Sequence, residues 1–162
     1  NPGQTVPINF NPVVELATGV HILAATVMEG LPPGGVPVGS SQTITLTVVS
    51  VPILAAVGVP TIGGIVGPSS ITMKQGTGLP MSWICQNTGG GAGEARLKTA
   101  TSGVVGGNVN GPLVIIPGGA SVTLLLAPNL LSVDFFATMT LSMLDETGLI
   151  LGQWVFTISF FV

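Results

Sequence analysis

Apolar and polar side chains alternate one residue at a time along this chain, and Gly or Pro repeatedly cuts the alternation short. Thr43 to Val48 runs Thr-Ile-Thr-Leu-Thr-Val. Phe136, Thr138, Thr140 and Ser142 alternate with Ala137, Met139, Leu141 and Met143. Trp154, Phe156, Ile158 and Phe160 alternate with Val155, Thr157 and Ser159, and "GASVTLLLAP" sets Val122, Leu124 and Leu126 on one face. A period of two is the strand period, and β-branched and aromatic residues suit a pleated surface. No window free of Gly and Pro carries the 3.6-residue spacing of an amphipathic helix. The expectation is an all-β, immunoglobulin-like antiparallel β-sandwich, with a core that includes Trp83, Leu97, Val122, Leu124, Phe136, Leu141, Trp154 and Phe156.

The chain also repeats itself. Pro2-Gly3 matches Pro117-Gly118, Val20 to Thr26 matches Val133 to Met139, and Thr43 to Val48 matches Val155 to Phe160. The offset, roughly 112–115 residues, is about one immunoglobulin-like domain. Residues 1–50 therefore read as a partial copy, the last three strands, and residues 67–162 as a complete one. Between them, 51–66 reads as an apolar, Gly/Pro-rich connector, or as an edge strand plus connector. The absence of an initiator Met suggests a processed product, an excised fragment or renumbering.

Composition narrows the function classes. Of 162 residues, 46% are hydrophobic and 6% charged, with Lys and Arg numbering 3 and a net charge of −3. Lys74, Arg96 and Lys98 are too few to neutralise a phosphate backbone, so nucleic acid is not an expected partner. No apolar run reaches the ~18 residues of a transmembrane helix, and a membrane barrel would want aromatic girdles that a chain without Tyr lacks. The lone Cys85 excludes an internal disulfide.

Chemistry-bearing residues are sparse. His21 sits in a strand with no nucleophile-elbow pattern and reads as a surface or interface position. Glu94, Asp134, Asp145 and Glu146 lack the ligand spacing of a calcium loop, and Asp145-Glu146-Thr147-Gly148 reads as a hairpin turn. Gly89 to Gly93 is not followed by the Lys-Ser/Thr of a phosphate loop and reads as a mobile connection. Cys85 reads as a buried, inert thiol. Trp83 and Trp154 could form a sugar-stacking platform, but core packing accounts for them better. No catalytic residue, metal ligand or cofactor is expected.

"QNTGGGAGEARLKTA" (86–100), "IPGGASVTLLL" (116–126) and "MLDETGLILGQWVFTI" (143–158) together resemble the CARDB/APHP-like group of bacterial and archaeal surface domains. Asn87-Thr88-Gly89 and Pro117-Gly118 carry the match. The resemblance implies an extracellular immunoglobulin-fold module with a spacing or adhesive role. The functional expectation is a non-catalytic protein that self-assembles through strand edges into an extracellular filament or surface layer. The alternatives are a virion decoration and a carbohydrate- or protein-binding module of a larger surface protein. Its expected partners are copies of itself, with a cell or virion surface as a further one. The assembly residues expected are Val51, Pro52, Ile53, Leu54 and Val57, as an inserted or covering strand, with Phe160, Phe161 and Val162 at the apolar end.

Overall fold

The computed structural model describes residues 17–29, 36–132 and 135–162, and among these there are fifteen strands and no helix. The chain divides into two compact units, 1–49 and 50–162.

In the first unit, β1 (Gly19–Ala25) pairs antiparallel with β4 (Gln42–Val48), from Gly19 opposite Val48 to Ala25 opposite Gln42. The two-residue strands β2 (Met28–Glu29) and β3 (Val36–Pro37) extend the ribbon.

The second unit holds two larger sheets. Their strands are β5 (Leu54–Ile62), β6 (Ile65–Val66), β7 (Ser70–Lys74), β8 (Met81–Asn87), β9 (Gly93–Thr101), β11 (Val114–Ile116), β12 (Ser121–Leu126), β14 (Phe136–Asp145) and β15 (Ile150–Phe161). One sheet has the order β12-β8-β5-β6, the other β11-β9-β14-β15-β7. A short pair, β10 (Val104–Val105) with β13 (Leu131–Ser132), lies apart from both. These pairings are antiparallel except that of β7 with β15, which is parallel from Ser70 beside Thr157 to Lys74 beside Phe161.

The pleat explains the core. Met81, Trp83 and Cys85 are the inward residues of β8, and Met139, Leu141 and Met143 those of β14. Phe156, Ile158 and Phe160 point inward from β15. They form one buried cluster with Leu97 and Leu124, so both sheets enclose the same core. Burying a side chain of this kind contributes about 1.5–3 kcal/mol. Every residue of that cluster belongs to the second unit.

Most expected core positions are buried, and Val122 and Trp154 stand half-buried at its margin. Phe136 is the correction: it is 73% exposed. It shares the parity of Thr138 and Thr140, which face outward, and strict alternation carries it out with them.

The stretch 51–66 is corrected as well. Of its two readings the edge strand fits and the plain connector does not: Leu54–Ile62 is a full strand, paired with β8 from Leu54 opposite Asn87 to Ile62 opposite Met81. A bulge between Val57 and Thr61 bends it, with Gly58 at φ 63°, and the Trp83 indole N–H donates to the Gly58 carbonyl at 3.2 Å. Gly and Pro here mark a bulged edge, which is where sheets tolerate them.

The internal repeat is matched in topology but not in register. β1–β4 and β14–β15 are both antiparallel ribbons. Leu23, the counterpart of Phe136, pairs with Ile44, the counterpart of Phe156, yet Phe136 itself pairs with Ser159. An odd shift of this kind exchanges the two faces.

Candidate functional site

The β1–β4 ribbon has two unlike faces. On one, His21, Leu23 and Ala25 stand opposite Leu46, Ile44 and Gln42, and Val48 lies across from Gly19. On the other, Val20, Ile22 and Ala24 stand opposite Thr47, Thr45 and Thr43. No residue of β1 or β4 is buried; Ile22 is 71% exposed and Ile44 62%. A two-stranded ribbon is marginal in water without a third strand or a packed face. The lone histidine uses its Nε2 locally, 2.6 Å from the Ala17 carbonyl oxygen.

The expected assembly residues fall into different places. The backbones of Leu54 and Val57 are paired within the chain, opposite Asn87 and Ile84. They are thus strand-forming residues of their own sheet, with β8 as partner on one edge, while β6 covers the other edge only at Thr61 and Ile62. Ile53 is tied through both backbone groups: its N–H donates to the Asn87 side chain at 3.0 Å, and its carbonyl accepts from Thr88 N–H at 2.9 Å. Pro52 packs where a side chain at Gly93 would otherwise sit. The side chains of Val51 and Ile53 remain exposed. Phe160 is corrected to a core residue at 4% exposure, since its parity matches Phe156 and Ile158, whereas Phe161 and Val162 are exposed.

Sequence reasoning passed over the residue that organises this region. Asn87 continues the inward register of Met81, Trp83 and Cys85 and is fully buried. Its Oδ1 accepts from Ile53 N–H and Gly89 N–H, each at 3.0 Å, and its Nδ2 donates to the carbonyls of Gly91 at 2.7 Å and Ile116 at 3.0 Å. The available signal was a polar residue at an inward position of an alternating strand. Gly89 to Gly93 is accordingly not a mobile connection. A Cβ on Gly89 would come 2.2 Å from the Val51 carbonyl oxygen, and one on Gly91 2.4 Å from that of Ser50. Glycines stand here because backbone packs directly on backbone.

Other chemistry-bearing side chains are engaged structurally. Trp83 faces the core, and the Trp154 indole N–H donates to the Pro68 carbonyl at 2.8 Å. Trp83 is buried and Trp154 half-buried against the core. Asp145 Oδ1 accepts from Thr147 N–H, Thr147 Oγ1–H and Leu149 N–H at 2.7–2.9 Å. The Thr147 hydroxyl holds its carboxyl below the usual carboxylate range; desolvation opposes this, and the backbone N–H groups of Leu149, Thr147 and Gly148 add to the lowering. Gly148 takes φ 91°, the left-handed conformation the hairpin needs. Burial pushes the Cys85 thiol up, partly offset by the Ala55 backbone. Asp134 lies outside the described residues, and Glu94 is half-buried on β9. Among the described residues no three His, Cys, Asp or Glu side chains gather, and no helix is long and apolar enough to cross a membrane. A depression of about 270 Å³ lined by Thr61, Gly64, Pro80, Met81, Ser82 and Leu125 carries no ionisable group.

No protein-family model matches the chain, and comparison with curated proteins gives no match. Among solved structures it is similar to the Pseudomonas fluorescens alkylpurine DNA glycosylase AlkC bound to DNA containing an abasic site analog. The TM-score is 0.48 and the identity 12%, over 65% of this chain and 30% of that one. The chain thus spans less than a third of that protein's length, and a likeness this weak is no guide to activity or ligand.

Proposed function

We propose that this chain is a non-catalytic structural module with an immunoglobulin-like sandwich, which self-associates through strand edges and the apolar ribbon face into an extracellular filament or surface layer. The strand orders support the sandwich reading. β12-β8-β5 corresponds to strands E-B-A of such a fold, and β9-β14-β15 to C-F-G. Kinship with CARDB/APHP-like surface domains is supported by the meeting of the turns that suggested it, since Gly119 N–H donates to the Gly89 carbonyl at 3.1 Å.

The observation that carries the functional reading is the β1–β4 ribbon. It exposes Ile44 and Leu46 beside half-buried Leu23 and Val48 on one face, and Val20 and Ile22 on the other, with no buried residue in either strand. Exposed apolar surface of this kind marks an interaction site. A chain with 6% charged residues also carries little repulsion to keep copies apart.

Light scattering on the full chain and on a 50–162 truncation tests this. The full chain is expected to associate as concentration rises, and the truncation to stay folded and monomeric. A full chain that remains monomeric at high concentration, or a truncation that associates equally well, overturns the reading.

A further inference from the structure

Among the described residues the two larger sheets of the second unit end at β11 and β7, and at β12 and the β5–β6 hairpin, and these edges differ in how they are protected. β11 has three residues, and Pro112 and Pro117 bracket it closely. β7 follows Pro68 and ends in Lys74. β5 is bent by its bulge at Gly58 to Pro60 and covered by β6 at Thr61 and Ile62. Short length, proline, lysine and bulges are the devices that block edge pairing. β12 has none of them: Ser121 to Leu126 is six residues without charge, proline or bulge, at the end of its sheet. The loop before Leu113 nears its far end, where a Cβ on Gly111 would lie 3.8 Å from the Leu125 carbonyl oxygen. Among the described residues no strand pairs with Ser121 to Leu124 on the side away from β8.

A second observation concerns the core beside that edge. Leu124 is 1% exposed, whereas Val122, which shares its inward parity, is only half-buried. The core is thus only partly closed at Val122.

We propose that the β12 edge accepts the β4 strand (Gln42–Val48) of a second copy of this chain. This rests on the self-association reading and names its contact. β4 carries the matching alternation: Thr43, Thr45 and Thr47 can join Ser121 and Thr123 on the outer face, while Ile44, Leu46 and Val48 join Val122 and Leu124 on the core face. Such pairs, Thr with Ser or Thr and aliphatic with aliphatic, stabilise neighbouring strands. β1 lacks this match, since Val20, Ile22 and Ala24 make its second face apolar too. Neither strand carries a charge to oppose the pairing. Among the described residues β4 pairs only with β1 and β12 only with β8, each at the end of its sheet. A donor and an acceptor on different surfaces give head-to-tail growth.

The test uses full-length chains. Thr123→Lys places a charge on the acceptor edge without touching the core, and is expected to weaken association about tenfold or more. Thr72→Lys, on the already guarded β7 edge, is expected to leave association unchanged. Separately, Thr123→Cys chains are mixed with Thr43→Cys, Thr45→Cys or Thr47→Cys chains under mild oxidation. A mixed disulfide dimer is expected from at least one combination, identified by mass spectrometry. If wild-type chains associate but Thr123→Lys does so equally and no mixed dimer forms, this contact is wrong while the self-association reading stands. If wild-type chains are monomeric, both fail.

Discussion

Asn87 closes four hydrogen bonds that no other side chain of its size could make at once, two as acceptor and two as donor. Asn87→Ala would strand the buried Gly89 N–H and the part-buried Ile53 N–H, and remove a partner from two carbonyls. A loss of about 2–5 kcal/mol in unfolding free energy follows, read from urea denaturation. An Asn87→Ala protein with an unchanged midpoint would show that water satisfies the site. Asp145 makes the opposite kind of prediction, visible only in acid. Its folded carboxyl is held below its ordinary value, so its contribution is complete above about pH 4 and fades as pH falls through the lowered folded value. Asp145→Asn keeps an acceptor oxygen but cannot titrate. Melting curves taken between neutral pH and ~2 should fall less steeply for the variant than for the parent. Equal acid sensitivity in the two proteins would remove Asp145 from the account.

At the level of the strand, alternation in the sequence was a good guide to which side chains turn inward. Met139, Leu141, Phe156 and Ile158 follow it without exception. Alternation does not say which parity faces the core where Phe135 and Phe136 put an aromatic on each, which is why the expectation sets Phe136 inside. Nor does alternation separate a bulged strand from a connector, because Gly58 and Pro60 look the same in either. The assembly residues expected near Val51 were read from apolarity alone. Apolarity does not reveal that the backbone there is already paired, and no local signal announces that Gly89 and Gly91 lie against Ser50 and Val51. That contact is itself testable. Gly91→Ala sets a methyl 2.4 Å from a backbone oxygen, which cannot move aside as a side chain would. A cost of about 1–3 kcal/mol is expected in thermal or urea melts, with the secondary structure unchanged by circular dichroism. A neutral substitution would mean that the segment 50–53 is not packed as described.

Across the whole molecule, the buried cluster and the proposed donor strand β4 lie in different parts of the chain. The buried cluster lies entirely within 50–162, so in dilute solution the truncation should melt where the full chain does, while only the full chain should assemble. The parallel pairing of β7 with β15 adds a mechanical consequence. A pull on Val162 drags β15 forward along its own axis. The chain before Ser70 holds β7 back in the opposite sense. Parallel strands loaded in this way slide against each other, and the rungs from Ser70–Thr157 to Lys74–Phe161 bear the tension together instead of opening one at a time. Forced opening is set by the barrier to that concerted step and not by the equilibrium stability. A unit built this way can transmit tension along a fibre while its fold remains only ordinarily stable at rest.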